Sequence, residues 1–148
     1  MKFTITKTEM PVSITILRLE GILDGANYKS LIKESQNVFE GGARDLILDL
    51  SQLDFISSAG LAALHMVALL FRGETDTGKS DGWDAFHSID RDRDNGIQEH
   101  VKLLSPSEQV RRVLEMTGFD RLFEISTDLQ QATASFPQVD PVMEPGLA

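Results

Sequence analysis

Cysteine is absent from the 148 residues, which removes disulfides, thiolate metal sites and thiol nucleophiles at once. That absence suits a reducing compartment, and a cytoplasmic location is expected. Basic residues are scarce beside acidic ones, 14 Lys and Arg against 23 Asp and Glu, for a formal net charge of −9. Nucleic acid and anionic membrane surfaces attract clustered Lys and Arg. No basic stretch offsets the deficit, so neither is expected as a partner. Long apolar runs are also missing: the longest, residues 60–71, is interrupted by His65 and falls short of the roughly 20 residues needed to span a bilayer. The N-terminus alternates polar and apolar residues and has no apolar core behind a basic start, so no signal peptide is expected. The three histidines, His65, His87 and His100, show no zinc-ligand spacing. Neither a metal nor a cofactor is expected, and His65 reads as a packing residue.

What is present is ordinary globular material, 41% hydrophobic and 25% charged, in a length suited to one domain. Phe3 and Ile5, then Ile14, Ile16, Leu17 and Leu19, read as two strands joined by a turn at Met10-Pro11. Their expected pairing is an antiparallel hairpin. Leu31, Ile32 and Phe39 give a sparse helical face that stops at Gly41-Gly42. A third strand is expected over residues 45–49 and a second helix from the serines at 57 and 58 to about Arg72. The pattern then fails until Val101-Lys102-Leu103-Leu104, a short strand. Ser105 as N-cap, Pro106 at the first helical position and Glu108 three residues on form a capping-box signature for a helix carrying Val110, Val113, Leu114 and Met116. Residues 122–125 read as a last strand and 128–135 as a final helix. Strands alternating with helices after an initial hairpin imply an α/β fold, a mixed β-sheet with helices packed on it. One domain over residues 1–135, with an insertion at about 73–100 and a disordered tail at 136–148, completes the expected organisation.

The most informative stretch runs from Asp45 to Leu61, where an apolar strand pattern passes into a serine-led helix start. Ser57 and Ser58 sit at the junction. Serine is a preferred N-cap, so one of them could serve only as a cap. A phosphate there could equally be held by free backbone N–H groups and the positive end of the helix dipole.

The order of elements and the wording of this junction resemble the STAS family, and within it the bacterial anti-sigma factor antagonists. The resemblance is carried by Gly21-Ile-Leu-Asp24, by Asp49-Leu-Ser-Gln-Leu-Asp-Phe-Ile-Ser-Ser58-Ala-Gly-Leu61, and by Val101-Lys-Leu-Leu-Ser-Pro106 running on to Met116-Thr-Gly-Phe119. The family's junction usually reads Asp-Ser-Ser/Thr-Gly-Leu, with the phosphorylated residue two positions before the glycine. Anchored on Gly60, that position is Ser58. The family's aspartate is replaced by Ser57, which leaves two adjacent hydroxyls, and the residue after Ser58 is Ala59. The resemblance implies a STAS-type sheet and a non-catalytic switch. Such a protein binds an anti-sigma factor serine kinase, is released when that kinase phosphorylates it, and is reset by a PP2C-type phosphatase. Asp24 matches a position on the family's binding face, and Asp49, Ser51, Asp54 and Gly60 around the junction are expected to share in partner binding, with turn and cap chemistry as the plainer explanation of Ser51 and Asp54. An accessory STAS subunit of a transporter or other signalling assembly is the alternative the resemblance leaves open.

Residues 73–100 do not fit that pattern. They hold eight acidic and three basic residues, and the chain's only tryptophan, Trp83, with Phe86 and His87 nearby. Gly73-Glu-Thr-Asp-Thr-Gly78-Lys79-Ser80 matches the P-loop consensus letter for letter. A working P-loop needs a preceding buried strand, whereas the segment before Gly73 reads as helix. A nucleotide-binding role through Gly73, Gly78, Lys79 and Ser80 is therefore the weaker reading. Asp90-Arg-Asp92-Arg-Asp94-Asn-Gly96 resembles a calcium loop, yet the sixth and twelfth positions hold Asn95 and Val101 where glycine and glutamate are needed. No Ser, His and Asp set or paired carboxylates stand at informative spacing, so catalysis is not expected.

Overall fold

The computed structural model describes residues 2–8, 14–72 and 98–136. Period-two alternation at the start of the chain forms β1 (Lys2–Thr8), which pairs antiparallel with β2 (Ile14–Leu23) from Lys2 opposite Glu20 to Thr8 opposite Ile14. Then come α1 (Tyr28–Glu40), β3 (Leu46–Ile56), α2 (Ser58–Phe71), β4 (Val101–Leu104), α3 (Glu108–Met116), a 3-10 turn at Phe119–Arg121, β5 (Ile125–Ser126) and α4 (Leu129–Ala134). The sheet order is β1-β2-β3-β4-β5, and every pair after the first is parallel. The expected mixed sheet, hairpin first, is what forms. The turn expected at Met10-Pro11 lies outside the described residues.

Strand order and chain order coincide, so each right-handed crossover steps in the same direction. Helices α1, α2 and α3 must then share one face of the sheet. Leu17, Leu19, Leu46, Leu48, Leu50 and Leu103 point to that face and pack with Leu31, Leu64, Val67 and Leu114 from the helices in one cluster. α2 lies deepest. Every residue from Gly60 to Ala68 is buried, His65 included, as expected for a helix apolar on all sides. On the opposite face Ile14, Ile47 and Leu104 pack with Ala132 and Phe136, so α4 covers that end of the sheet. Phe136 is only 2% exposed, and packing thus continues through this residue, one beyond the boundary expected at 135.

Four local expectations need correction. β3 extends to Ile56 rather than stopping at Asp49, because exposed polar residues at Ser51, Gln52 and Asp54 interrupt the apolar pattern without ending the ladder to β2. The cap of α3 is Ser107, not Ser105: its Oγ accepts from the Val110 N–H at 3.4 Å and donates to the Leu53 carbonyl oxygen at 3.2 Å. Ser105 takes a positive φ of 50° and bonds to Ser126 and Thr127 instead. Leu122 and Phe123 are buried beside the 3-10 turn, and the last strand is Ile125–Ser126. Met116 does not join the packed face of α3 but is 79% exposed.

Candidate functional site

The C-terminal ends of β2 and β3 lie side by side, with Leu23 in register with Ile56. One residue further, the Ser57 N–H donates to the Leu23 carbonyl oxygen at 2.9 Å. Ser57 keeps extended backbone angles, and its Oγ accepts from the Gly60 N–H at 3.3 Å, which makes it the N-cap of α2. Ser58 is the first helical residue and its side chain is exposed. The two adjacent hydroxyls, of which the resemblance favours Ser58, therefore have different surroundings. One is engaged in the cap, and the other stands in solvent above the first turn, where N–H groups lack intrahelical acceptors.

Gly60 is the point of closest approach between α2 and the strands. A Cβ there would lie 2.8 Å from Ile56 Cγ1 and 2.9 Å from both Cγ and the carbonyl oxygen of Leu23. Any side chain would push the helix start, and Ser58 with it, away from β2 and β3.

Across from the serines, the chain leaving β2 makes a turn held by side-chain amide and carboxylate bonds. Asp24 Oδ1 accepts from the Ala26 N–H at 2.9 Å. Asn27 Oδ1 accepts from the Asp24 N–H at 2.9 Å, and Asn27 Nδ2 donates to the Ile22 carbonyl oxygen at 2.7 Å. Asp24 is thus fixed next to the Ser57-Ser58 junction, and Asn27, which sequence reading passed over, is the residue that staples the turn.

The other acidic candidates separate by position. Asp49 is 7% exposed and sits seven residues before Ile56, about 23 Å down an extended strand. Its Oδ2 accepts from Arg18 Nε at 3.2 Å and its Oδ1 from the Ser51 N–H at 3.0 Å. Asp49 and Ser51 are therefore grouped with each other and with Arg18, not with the serines. Asp54 is exposed close to the junction. Here β3 carries its second extra residue against β2: after a first shift between Asp49 and Gln52, Gly21 pairs with Leu53 but Ile22 with Phe55, leaving Asp54 in a bulge. Strict alternation from buried Leu53 would bury Phe55 and expose Ile56. The bulge reverses that phase, so Ile56 is buried while Phe55 is 41% and its partner Ile22 47% exposed. This apolar pair escaped the sequence reading because a bulge leaves no mark in composition.

Gly73, Gly78, Lys79 and Ser80, the acidic turn at 90–96, and Trp83, Phe86 and His87 lie outside the described residues. The element that leads to Gly73 is α2, a helix. Among the described residues no three His, Asp or Glu side chains gather as a metal site, and no helix is long and apolar enough to cross a membrane.

Residues 6–72 match the family model for the STAS domain. A protein of Bordetella bronchiseptica described as a candidate anti-sigma factor antagonist, BtrV, is 29% identical over 136 residues, spanning 92% of this chain and 95% of that protein. The solved structure of a candidate anti-sigma factor antagonist from Thermotoga maritima aligns with a TM-score of 0.64 at 20% identity, over 92% of this chain and 95% of that one. That of an anti-sigma factor antagonist from Mycobacterium paratuberculosis aligns at 0.58 and 17% identity, over 90% and 93%. At such identities the structural likeness is one of fold.

Proposed function

We propose that this chain, whose residues 6–72 match the STAS domain model, is an anti-sigma factor antagonist worked as a partner switch through Ser58. Unmodified, it binds an anti-sigma factor that is also a serine kinase; phosphorylation of Ser58 by that kinase releases it, and a PP2C-type phosphatase restores it. The chain itself catalyses nothing. The domain expected over residues 1–135 acts as one unit, extended by the packed Phe136, with the acidic insertion set into it.

The observation that carries this reading is the division of labour between the two serines. Ser57 Oγ holds the Gly60 N–H, so the cap that α2 needs does not depend on Ser58, whose hydroxyl is exposed at the helix start. Phosphorylation adds about −1.5 to −2 charge and three acceptor oxygens. At the first turn of α2 that charge meets the positive end of the dipole, so the fold tolerates it. Within a docked interface, beside Asp24 and Asp54, the same charge is desolvated and repelled. A loss of about 3 kcal/mol weakens binding roughly a hundredfold, which is enough to release a partner.

The test is phosphotransfer. The full chain is incubated with ATP and, one at a time, the purified anti-sigma serine kinases of the source cell, and the tryptic peptide spanning residues 45–72 is sequenced by mass spectrometry. A phosphate on Ser58, abolished by Ser58→Ala and retained in Ser57→Ala, is the expected result. No transfer to either serine by any of the kinases sinks the proposal.

A further inference from the structure

We infer that Ile22 and Phe55 form an apolar anchor for the protein partner of this face, seated in an apolar pocket of that partner with a basic rim. The inference rests on the partner-switch reading and adds which residues supply binding energy before Ser58 is touched.

Five large apolar side chains are exposed among the described residues: Ile5, Ile22, Phe55, Met116 and Leu129. Only Ile22 and Phe55 are register partners on adjacent strands. Opposed side chains on neighbouring strands lie about 5 Å apart at Cβ, so the two form one surface. Two one-residue shifts of β3 against β2, between Asp49 and Gln52 and at Asp54, return the strand to the phase of Leu46, Leu48 and Leu50, so Ile56 is buried while Phe55 stays beside Ile22 on the open face. Bulges of this kind recur where a side chain must be re-aimed, and aromatic side chains are among the usual anchors of interfaces.

Charge sets the partner's chemistry. Asp54 precedes Phe55 in the chain, and Asp24 and Glu20 lie two residues to either side of Ile22. Arg18, four residues before Ile22 on β2, is turned to Asp49, its Nε 3.2 Å from Asp49 Oδ2. An apolar centre with a carboxylate rim is complementary to an apolar pocket ringed by Lys or Arg. Phe55 is three residues from Ser58, at most about 11 Å along the chain. A partner seated on the pair therefore holds Ser58 within reach of its own active site, and a phosphate on Ser58 falls inside the footprint.

The anchor is tested with the full chain and the kinase that labels Ser58. Phe55→Ala and Ile22→Ala should each raise KM for the antagonist about tenfold with kcat within twofold. Phe55→Leu should restore most of the loss, and Met116→Ala, which removes an even more exposed apolar side chain, should leave KM unchanged. Asp54→Asn should lower the association rate and flatten its dependence on salt. Circular dichroism melts check that each variant is folded, and because Phe55 and Ile22 are exposed, their melting points should stay near the wild type. An unchanged KM in both alanine variants, or a fall in kcat at unchanged KM, overturns the anchor while leaving Ser58 as the phosphoacceptor. Failure of every kinase to label wild-type protein overturns both.

Discussion

The Ser57 N–H and the Leu23 carbonyl oxygen, 2.9 Å apart, join the start of α2 to the end of β2. Through that bond the Asp24 turn and the serine pair keep a fixed relation. Because Ser57 also supplies the cap to Gly60, replacing it is a question of stability. Ser57→Ala should lower the unfolding free energy by about 1 kcal/mol, whereas Ser57→Asp, an equally good cap, should hold it. Ser58→Ala, at an exposed first-turn position, should stay within about 0.5 kcal/mol of wild type. Urea unfolding followed by circular dichroism measures all three. Equal losses at both positions would mean that the hydroxyls share the cap and that Ser58 is not free for modification.

Gly60→Ala sets two effects against each other. Helix propensity favours alanine by about 1 kcal/mol, yet the added Cβ would lie 2.8 to 2.9 Å from Ile56 and Leu23, with one contact to backbone oxygen that cannot rotate away. Overpacking of this kind costs about 1–3 kcal/mol, so the net change should be destabilising. A higher melting temperature for Gly60→Ala would show that α2 can shift outward at no cost, and that close approach does not fix Ser58.

Asp49 offers a way to separate fold from recognition. Asp49→Ala leaves Arg18 without its carboxylate and removes the acceptor for the Ser51 N–H, at an expected cost of about 1–3 kcal/mol. Since Asp49 is about 23 Å from the end of β3, the rate of Ser58 phosphorylation below the melting transition should not change. A slowed rate in folded protein would bring Asp49 back to the partner face.

The fold was legible where one periodicity held throughout an element. Leu46, Ile47 and Leu48 announce a strand buried on both faces, and the apolar run from Leu61 to Phe71 announces a helix buried on all sides. Strands alternating with helices after a hairpin imply a mixed sheet, but its ladder order appears only in the strand pairing. Reading failed where the phase changed inside an element. Two register shifts in β3, between Asp49 and Gln52 and at Asp54, break the alternation that would have carried the strand past Asp49 to Ile56. At Ser105-Pro106-Ser107 three residues could each open the helix, and only the bond from Ser107 Oγ to Leu53, a contact 54 residues away, chooses among them. At the candidate site the serines were visible in sequence but not their division of labour. Which hydroxyl caps depends on where β2 ends in space, and no local pattern encodes that.

Lys102 and Phe136 allow the far side of the sheet to be tested in the same terms. The Lys102 side chain is only 4% exposed, its Nζ 3.6 Å from Glu124 Oε1 and 5.0 Å from the centroid of the Phe136 ring. Phe136→Ala should cost about 3–5 kcal/mol, the usual loss for a buried aromatic residue. Part of that loss is contact with the ammonium and not packing alone. Lys102→Met, which keeps the volume and removes the charge, should be nearly neutral, because relief from desolvation offsets the lost ion pair. In a double-mutant cycle, Phe136→Ala should then cost about 1 kcal/mol less in the Lys102→Met background than in wild type. A coupling of zero would mean that the ring only fills space, and that Glu124 alone compensates the buried charge.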